Sequence, residues 1–349
     1  MRAALLVLIV CVMEAASAGR ISDVRGTKHN LSSAGSGAVK AQSETQVCVF
    51  CHTPHAGTPG ATPLWNRKLN QTSTYTVYTS SSLDANVIQG QLDQPGGSSK
   101  LCLSCHDGTL AIGNVNVLNG QGASTPQGTV SITMTGTDAG GVMPGGAGAT
   151  TGFTRNLGTS LKNDHPISVT YNSLLATRDG ELRPVDANQK WPAGSGAVVG
   201  VRAPGYRPAA PLEPTGGLGA GQVQCATCHD PHIRETDATK GNQKFLRLNR
   251  FQEATPANTL DSANDIVCLA CHDRNQGSGT WAYSAHANPQ VATQTYTASA
   301  ATQREFPASL PVWKAACLNC HDPHTVQGAQ HLTREGTNSA STPKAGGAS

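Results

Sequence analysis

The stretch "CVFCHTPH", Cys48 to His55, packs two cysteines and two histidines into eight residues. Its core, C-x-x-C-H, recurs four times along the chain, and the five copies use ten of the eleven cysteines. The copies occupy residues 48–52, 102–106, 225–229, 268–272 and 317–321. Five repeats that take up nearly every cysteine indicate one shared chemistry rather than chance.

The spacing is that of a c-type haem attachment sequence. Two cysteines one helical turn apart can form thioethers to the vinyl groups on one edge of a haem, and the adjacent histidine can ligate the iron. The predicted attachment residues are Cys48, Cys51, Cys102, Cys105, Cys225, Cys228, Cys268, Cys271, Cys317 and Cys320. The predicted proximal ligands are His52, His106, His229, His272 and His321.

Structural zinc and disulfides are the alternatives for C-x-x-C pairs. Zinc needs such pairs to combine into four-ligand sites, whereas here each pair carries its own histidine and five units cannot be paired off. A C-x-x-C disulfide is typical of a thioredoxin-like βαβ unit, and no such pattern is visible. Five covalently bound haems c therefore remain the prediction.

The first 18 residues predict a secretory signal peptide. Arg2 precedes the apolar run 3–13, and "ASA" (16–18) offers small residues for cleavage after Ala18. This segment is too short to span a membrane, and bulky Val10 argues against a lipid anchor at Cys11. Cleavage removes Cys11, so the exported chain, extracellular or periplasmic, keeps only motif cysteines.

The composition predicts a mostly irregular chain with short helices at the haem motifs, minor β structure and the haems as its core. Aromatic residues are 4% and charged residues 13%, against 38 glycines and 20 prolines. Such a chain buries too little apolar surface to offset the entropy of ordering its backbone. Bound cofactors are expected to fill the interior.

A second histidine follows three residues after the proximal one in three motifs. It cannot reach the far face of its own haem, because even an extended chain spans only ~11 Å over that distance. The proline before it is expected to end the motif helix and redirect it. These histidines are predicted distal ligands of neighbouring haems: His55, His232 and His324.

Other histidines complete the inventory for five bis-histidine irons. His165 is expected to lie in extended backbone because Pro166 follows it, and His286 follows motif 4, one of the two motifs that lack a second histidine. His29 lies near the exported N-terminus, and His331 is the one expected to be a surface residue. Only Met134 and Met143 remain as methionine alternatives after signal cleavage.

One pentahaem domain is expected over 19–332, with a Gly/Pro-rich insertion at about 107–224 and a low-complexity tail at 333–349. The runs 128–136 and 167–175 have strand-like alternation and predict a small sheet. The stretches 136–152 and 191–221 have loop-like composition.

Bound haem changes the charge of the protein. The formal net charge is +3 with a pI of about 8.3, but each bis-histidine haem adds about −1 when oxidised and about −2 when reduced, through its propionates. Five haems bring the total to roughly −2 or −7. Nucleic-acid binding is therefore not expected, and no basic-aromatic stripe supports it.

Several stretches resemble one protein family: "TKHNLS" (27–32), "ETQVCVFCHTPHAG" (44–57), "PLWNR" (63–67), "NDHPIS" (163–168), "QCATCHDPH" (224–232) and "CLNCHDPHTVQG" (317–328). They are similar to multihaem c-type cytochromes with doubled motifs, most of all to the extracellular, filament-forming cytochromes of metal-reducing bacteria. The resemblance implies bis-histidine haems in alternating stacked and T-shaped contact, forming a continuous wire. It also implies one ligand donated between subunits from ahead of the first motif, here His29.

The expected function is electron conduction along closely packed haems, as a subunit of a homopolymeric extracellular filament that exchanges electrons with redox partners. A monomeric periplasmic shuttle is the alternative within this class. A multihaem reductase is the alternative from another class. It would need a five-coordinate iron, which pentahaem nitrite reductases typically mark with lysine in place of a motif histidine, and all five motifs here carry histidine. No catalytic residue is predicted.

Overall fold

The computed structural model describes residues 20–69, 74–122, 128–145, 155–186, 198–199, 210–214, 220–257, 259–274, 280–324, 326 and 330–334. The predicted signal peptide and all but two residues of the predicted tail lie outside the described residues. None of the helices in the described ranges is long and apolar enough to cross a membrane.

The helices of the described chain are short. They are α1 (Asp84–Gln89), α2 (Gly97–His106), α3 (Ser173–Asp179), α4 (Cys225–Cys228), α5 (Ala298–Arg304) and α6 (Val312–Ala315). Single 3₁₀ turns lie at Val24–Gly26, Cys48–Phe50, Ala139–Gly141, Ala238–Lys240, Val267–Ala270, Trp281–Tyr283, Ala285–Ala287, Ala316–Asn319 and Gln330–Leu332.

Each C-x-x-C-H motif forms or ends a helical turn. Motif 2 ends α2, motif 3 forms α4, and motifs 1, 4 and 5 lie on 3₁₀ turns. In motifs 1, 3, 4 and 5 the backbone N–H of the histidine donates to the carbonyl of the first cysteine at 2.8–2.9 Å. This closed turn holds the two cysteines of a motif one turn apart.

The strands are short and antiparallel. They are β1 (Arg20–Ser22), β2 (Lys40–Ala41), β3 (Asn114–Val115), β4 (Val117–Leu118), β5 (Gln121–Gly122), β6 (Val130–Ser131), β7 (Met134–Thr135), β8 (Val169–Asn172), β9 (Val185–Asp186), β10 (Val198–Val199), β11 (Ala210–Pro211), β12 (Glu213–Pro214), β13 (Ala220–Val223) and β14 (Ile233–Glu235). Two sheets have three strands, in the orders β11-β10-β9 and β12-β13-β8. The pairs β1-β14, β2-β7, β3-β6 and β4-β5 form two-stranded ribbons.

Two expectations about β structure differ from what is observed. The runs 128–136 and 167–175 contain β6, β7 and β8, but β6 pairs with β3, β7 with β2, and β8 with β13, so the two runs share no sheet. Strands β10 to β13 lie partly within the predicted loop 191–221. Pro211 and Pro214 are accommodated because β11 and β12 are edge strands.

The apolar core is divided among several clusters in the described residues. The largest surrounds β8 and β13 and includes Tyr171, Leu175 and Leu212. Four of the clusters pack against at least one motif cysteine, among them Cys51, Cys105, Cys268, Cys271 and Cys317. The buried side chains are therefore arranged around the motifs rather than in a single separate core.

A buried arginine joins the first two motifs. Arg67 is 1% exposed, and its guanidinium donates to the backbone carbonyls of Ser104 and Ala111 at 3.0 Å and also to that of Ile112. These bonds fix the end of α2 and the loop after it against the segment that follows motif 1. Motif 2 is thereby held next to motif 1.

Candidate haem sites

The ten motif cysteines are all free thiols. Burial raises the pKa of Cys51 and Cys271 to about 12 and that of Cys228 to about 11. Across the described ranges, no group of three or more His, Cys, Asp or Glu side chains is arranged to hold a metal ion. Within the described residues, no motif cysteine is joined to another by a disulfide.

The structure brings four motif histidines close to four other histidines, with interplanar angles from 17° to 78°. The ring centroids are 6.1 Å apart for His52 and His232 and 6.2 Å apart for His106 and His29. They are 6.2 Å apart for His229 and His324 and 6.3 Å apart for His272 and His165. Every pair joins a predicted proximal ligand to a predicted distal one.

This separation matches two imidazoles bound to opposite sides of one metal ion. A metal–nitrogen distance of about 2.0 Å, with about 1.1 Å from that nitrogen to the ring centroid, places two trans ring centroids about 6.2 Å apart. Directly contacting aromatic rings also span about 4.5–7 Å, so the weight of the observation lies in its recurrence in four pairs that each contain one C-x-x-C-H histidine. The four pairs therefore fit the ligation of iron by two histidines.

Backbone carbonyls hold four of the five motif histidines in one orientation. Nδ1 donates to a carbonyl oxygen at 2.7–2.8 Å in His52 (to Pro63), His106 (to Arg155), His229 (to Lys244) and His321 (to His331). A proton held on Nδ1 leaves Nε2 as the free lone pair, which is how metal-ligating histidines are commonly oriented. The tautomer is therefore set by the fold.

Burial keeps several of these imidazoles neutral. It lowers the pKa of His29 to about 3 and those of His229 and His272 to about 4. Burial also lowers the pKa of His106 and of His165. Only a neutral imidazole can bind a metal, so these rings are in the ligating form at neutral pH.

A short segment, here called the return segment, runs beside four of the motifs, and each copy contains at least one residue with positive φ. The carbonyl of its second residue accepts a hydrogen bond from the backbone N–H of the residue that follows the motif histidine. The backbone N–H of its fourth residue donates to the carbonyl of the second motif cysteine. These bonds are 2.6–3.0 Å long. The return segments of motifs 1, 3, 4 and 5 are residues 63–66, 244–247, 180–183 and 331–334. The third residue of each segment pairs with the motif histidine in a single antiparallel bridge.

The fourth residue of each return segment also clamps the motif turn. Asn66 Nδ2 donates to the carbonyl of Val49 at 2.6 Å. Arginine Nε does the same in the other copies, from Arg183 to Leu269, Arg247 to Ala226 and Arg334 to Leu318, at 2.7–3.0 Å. In every copy the acceptor belongs to the residue after the first cysteine.

The three arginines of this clamp also bind the aspartate that follows the motif histidine. The pairs are Arg183–Asp273 at 3.1 Å, Arg247–Asp230 at 3.3 Å and Arg334–Asp322 at 2.6 Å. The motif pattern alone did not predict a role for Asn66 or for these arginines. In motifs 1, 3 and 5 the clamping residue is a polar residue 13 to 18 positions after the motif histidine, a spacing that is visible in the sequence. In motif 4 the clamping arginine precedes the motif, so the same spacing does not identify it.

The motifs contact one another in sequence order. The thiols of Cys102 and Cys225, the first cysteines of motifs 2 and 3, are in hydrogen-bonding contact, as are those of Cys268 and Cys317 in motifs 4 and 5. The other junctions use the second cysteines, which are close enough to interact electrostatically: Cys51 with Cys105, and Cys228 with Cys271. Two kinds of junction thus alternate from motif 1 to motif 5.

The fifth motif histidine lacks such a pair. All twelve histidines lie in the described part of the chain, and no imidazole there faces His321 at the 6 Å separation. His55 and His286 are exposed, and His286 packs against Trp281. His331 Nε2 bonds to the Ser82 hydroxyl at 3.2 Å.

His29, the ligand that the resemblance implies is donated between subunits, lies close to a motif histidine of its own chain. Its ring lies beside His106 of its own chain and contacts Phe245 at a centroid distance of 4.4 Å. Within the single chain, His29 is therefore the imidazole that lies next to the motif 2 histidine. Met134 and Met143 pack in clusters with Cys51 or Cys105 and not beside motif 5.

No model of a known protein family matches the chain, and no curated protein shows significant sequence similarity to it. The assignment of function therefore depends on the motifs and on the geometry described above.

Proposed function

We propose that this protein is an exported pentahaem c-type cytochrome that conducts electrons along a row of bis-histidine haems. The observation that carries the proposal is the set of four imidazole pairs at 6.1–6.3 Å, each containing one C-x-x-C-H histidine. The cysteines of each motif would hold the haem covalently. The bound iron would supply reversible one-electron chemistry.

The pairing of the ligands supports conduction rather than catalysis. An iron held by two histidines has no open position for a substrate. The thiol contacts from motif 1 through motif 5 support a single file of closely spaced centres, since the attachment points of successive haems adjoin. Each centre would exchange electrons with the next in the row.

The two ends of the row support a filament. His321 of the last motif lacks a facing imidazole within the described chain, whereas exposed His55 follows the first motif and faces none. In a head-to-tail assembly, His55 of one chain would complete the site of His321 in the next. A heterologous contact of this kind builds an open polymer when its rotation does not close a ring.

The unpaired His321 also favours a second candidate, a reductase with one five-coordinate iron. The assembled protein distinguishes the two. A filament completed by His55 has only low-spin iron, and a reductase retains one high-spin ferric signal that cyanide removes. A monomeric shuttle completed by His286 would be low-spin without forming polymers.

Two measurements test the haem assignment. The purified protein should carry five covalent haems per chain by pyridine haemochrome assay and mass spectrometry. Changing His165→Ala should convert one low-spin centre to a high-spin one that binds carbon monoxide, and His331→Ala, the control, should convert none. Absence of covalent haem, or identical spectra for the two variants, would contradict the proposal.

The filament is tested by electron microscopy of His55→Ala and His286→Ala. We expect the His55 variant to give discrete particles with one high-spin iron, and the His286 variant to polymerise normally. Polymers of the His55 variant with fully low-spin iron would rule out this junction.

A further inference from the structure

The predicted distal histidines differ in what accepts the proton on Nδ1. His324 donates to the carboxylate of Asp164 at 3.2 Å, whereas His165 donates to the backbone carbonyl of Pro166 at 3.0 Å. The four motif histidines whose Nδ1 contacts are described above all use backbone carbonyls. His232 also bonds to a carboxylate, that of Asp230 at 3.0 Å, but Arg247 lies 3.3 Å from the same residue and offsets its charge.

Asp164 is built into the fold at this point. It is 4% exposed. Its segment pairs with the segment that carries His324, because the N–H of His165 donates to the carbonyl of Pro323 at 2.8 Å and the N–H of Val326 donates to that of Asn163 at 3.0 Å. The two backbone hydrogen bonds between these segments therefore fix the Asp164 carboxylate beside the ring of His324. They also place the carboxylate one residue away from His165, which faces a different motif.

A carboxylate acceptor makes an imidazole a stronger donor to its metal than a carbonyl acceptor does, because negative charge shared through the hydrogen bond raises the basicity of the ligand. A stronger donor stabilises ferric over ferrous iron and so lowers the reduction potential. Low local dielectric strengthens the effect at a buried carboxylate.

We propose that Asp164 is a positioning residue that lowers the reduction potential of the His229–His324 centre below that of the neighbouring His272–His165 centre. This inference rests on the proposed function, since it requires haem iron in both sites. It assigns the two centres an order along the row, with the His229–His324 centre the first of the two to be oxidised.

The test is spectroelectrochemical titration of the full haem-loaded protein carrying Asp164→Asn. The amide keeps the shape and an acceptor oxygen but removes the charge. We expect the oxidised-to-reduced ratio of one centre to fall at least tenfold at fixed potential, a rise of about 59 mV for a one-electron couple. Low-spin EPR signals should move for that same centre.

Two variants serve as controls. Asp265→Asn removes another carboxylate that is 1% exposed and bonded to Gln252 rather than to a histidine, and it should leave all five potentials in place. Asp164→Glu keeps the charge, so the reduction potential of the His229–His324 centre should stay close to its value in the unaltered protein. Five unchanged potentials in Asp164→Asn, or an equal shift in Asp265→Asn, would overturn the inference.

A measurement on the unaltered protein covers the case in which Asp164→Asn does not load its haems. NMR of haem methyl groups, assigned through contacts to the axial histidines, reports which centre is oxidised first. Oxidation of the His272–His165 centre before the His229–His324 centre would overturn the inference, whereas absence of haem signals altogether would instead refute the proposed function.

Discussion

Replacing Arg334 with methionine should destabilise the protein by about 3–5 kcal/mol at pH 7, the usual cost of removing one partner of a buried ion pair. The side chains of Arg334 and Asp322 are only 5% and 6% exposed, and they lie 2.6 Å apart. Arg334 Nε also donates to the carbonyls of Leu318 and His321, at 3.0 Å each. Methionine leaves all three acceptors without this donor.

The loss of stability in the Arg334→Met variant should depend on pH. Burial raises the pKa of Asp322 from 3.8 to about 6, against the lowering influence of Arg334. The folded state then binds the proton more tightly than the unfolded state does, so stability is highest when the carboxyl is protonated and falls as pH rises towards 6. Without Arg334 the pKa rises further, and the deficit of the variant should therefore shrink between pH 7 and pH 5.

The assay is guanidinium denaturation of the haem-loaded protein, followed by tryptophan fluorescence as unfolding separates the indoles from the quenching haems. Arg178→Met is the matched control. Its partner Asp84 is 2.9 Å away, but the two side chains are 45% and 31% exposed, so the expected cost is about 0–1 kcal/mol. An Arg334 variant no less stable than the Arg178 variant would refute the reasoning.

Two further outcomes follow from the site geometry. His29→Ala should turn one low-spin centre high-spin while polymers persist, because His29 faces His106 of its own chain. EPR measures the spin state, and electron microscopy shows whether polymers form. Loss of polymers would instead indicate that His29 acts between subunits. Cys102→Ser should leave one haem on a single thioether, visible as a red-shifted haemochrome band, and an unshifted band would argue against attachment at this motif.

The motifs themselves were readable from sequence because their chemistry is local. The cysteines, the adjacent histidine and the proline that redirects the second histidine all lie within eight residues, where spacing alone sets the geometry. The Asp230 and Asp322 side chains each accept from the N–H of the second histidine, at 3.0 and 3.2 Å. This contact was available from the "CHDPH" pattern.

The pairing of the histidines was not readable, since it depends on segments that only the folded chain brings together. His52 faces a residue 180 positions later, and the partner of His106 precedes it by 77 positions. The arginine clamps were hidden for the same reason, because Arg183 acts on a motif that begins 85 residues further on. Local propensity carries no information at such distances.

The interlaced ligands have a consequence for how the protein is made. Synthesis delivers the N-terminal end first, so the first motif exists long before His232 emerges to face His52. Likewise motif 3 must wait for His324, almost the last histidine of the chain. Under the proposed function, a haem attached to motif 1 or motif 3 before synthesis reaches His232 or His324 would lack its second histidine, and a chain truncated before His324 would lack at least one distal ligand.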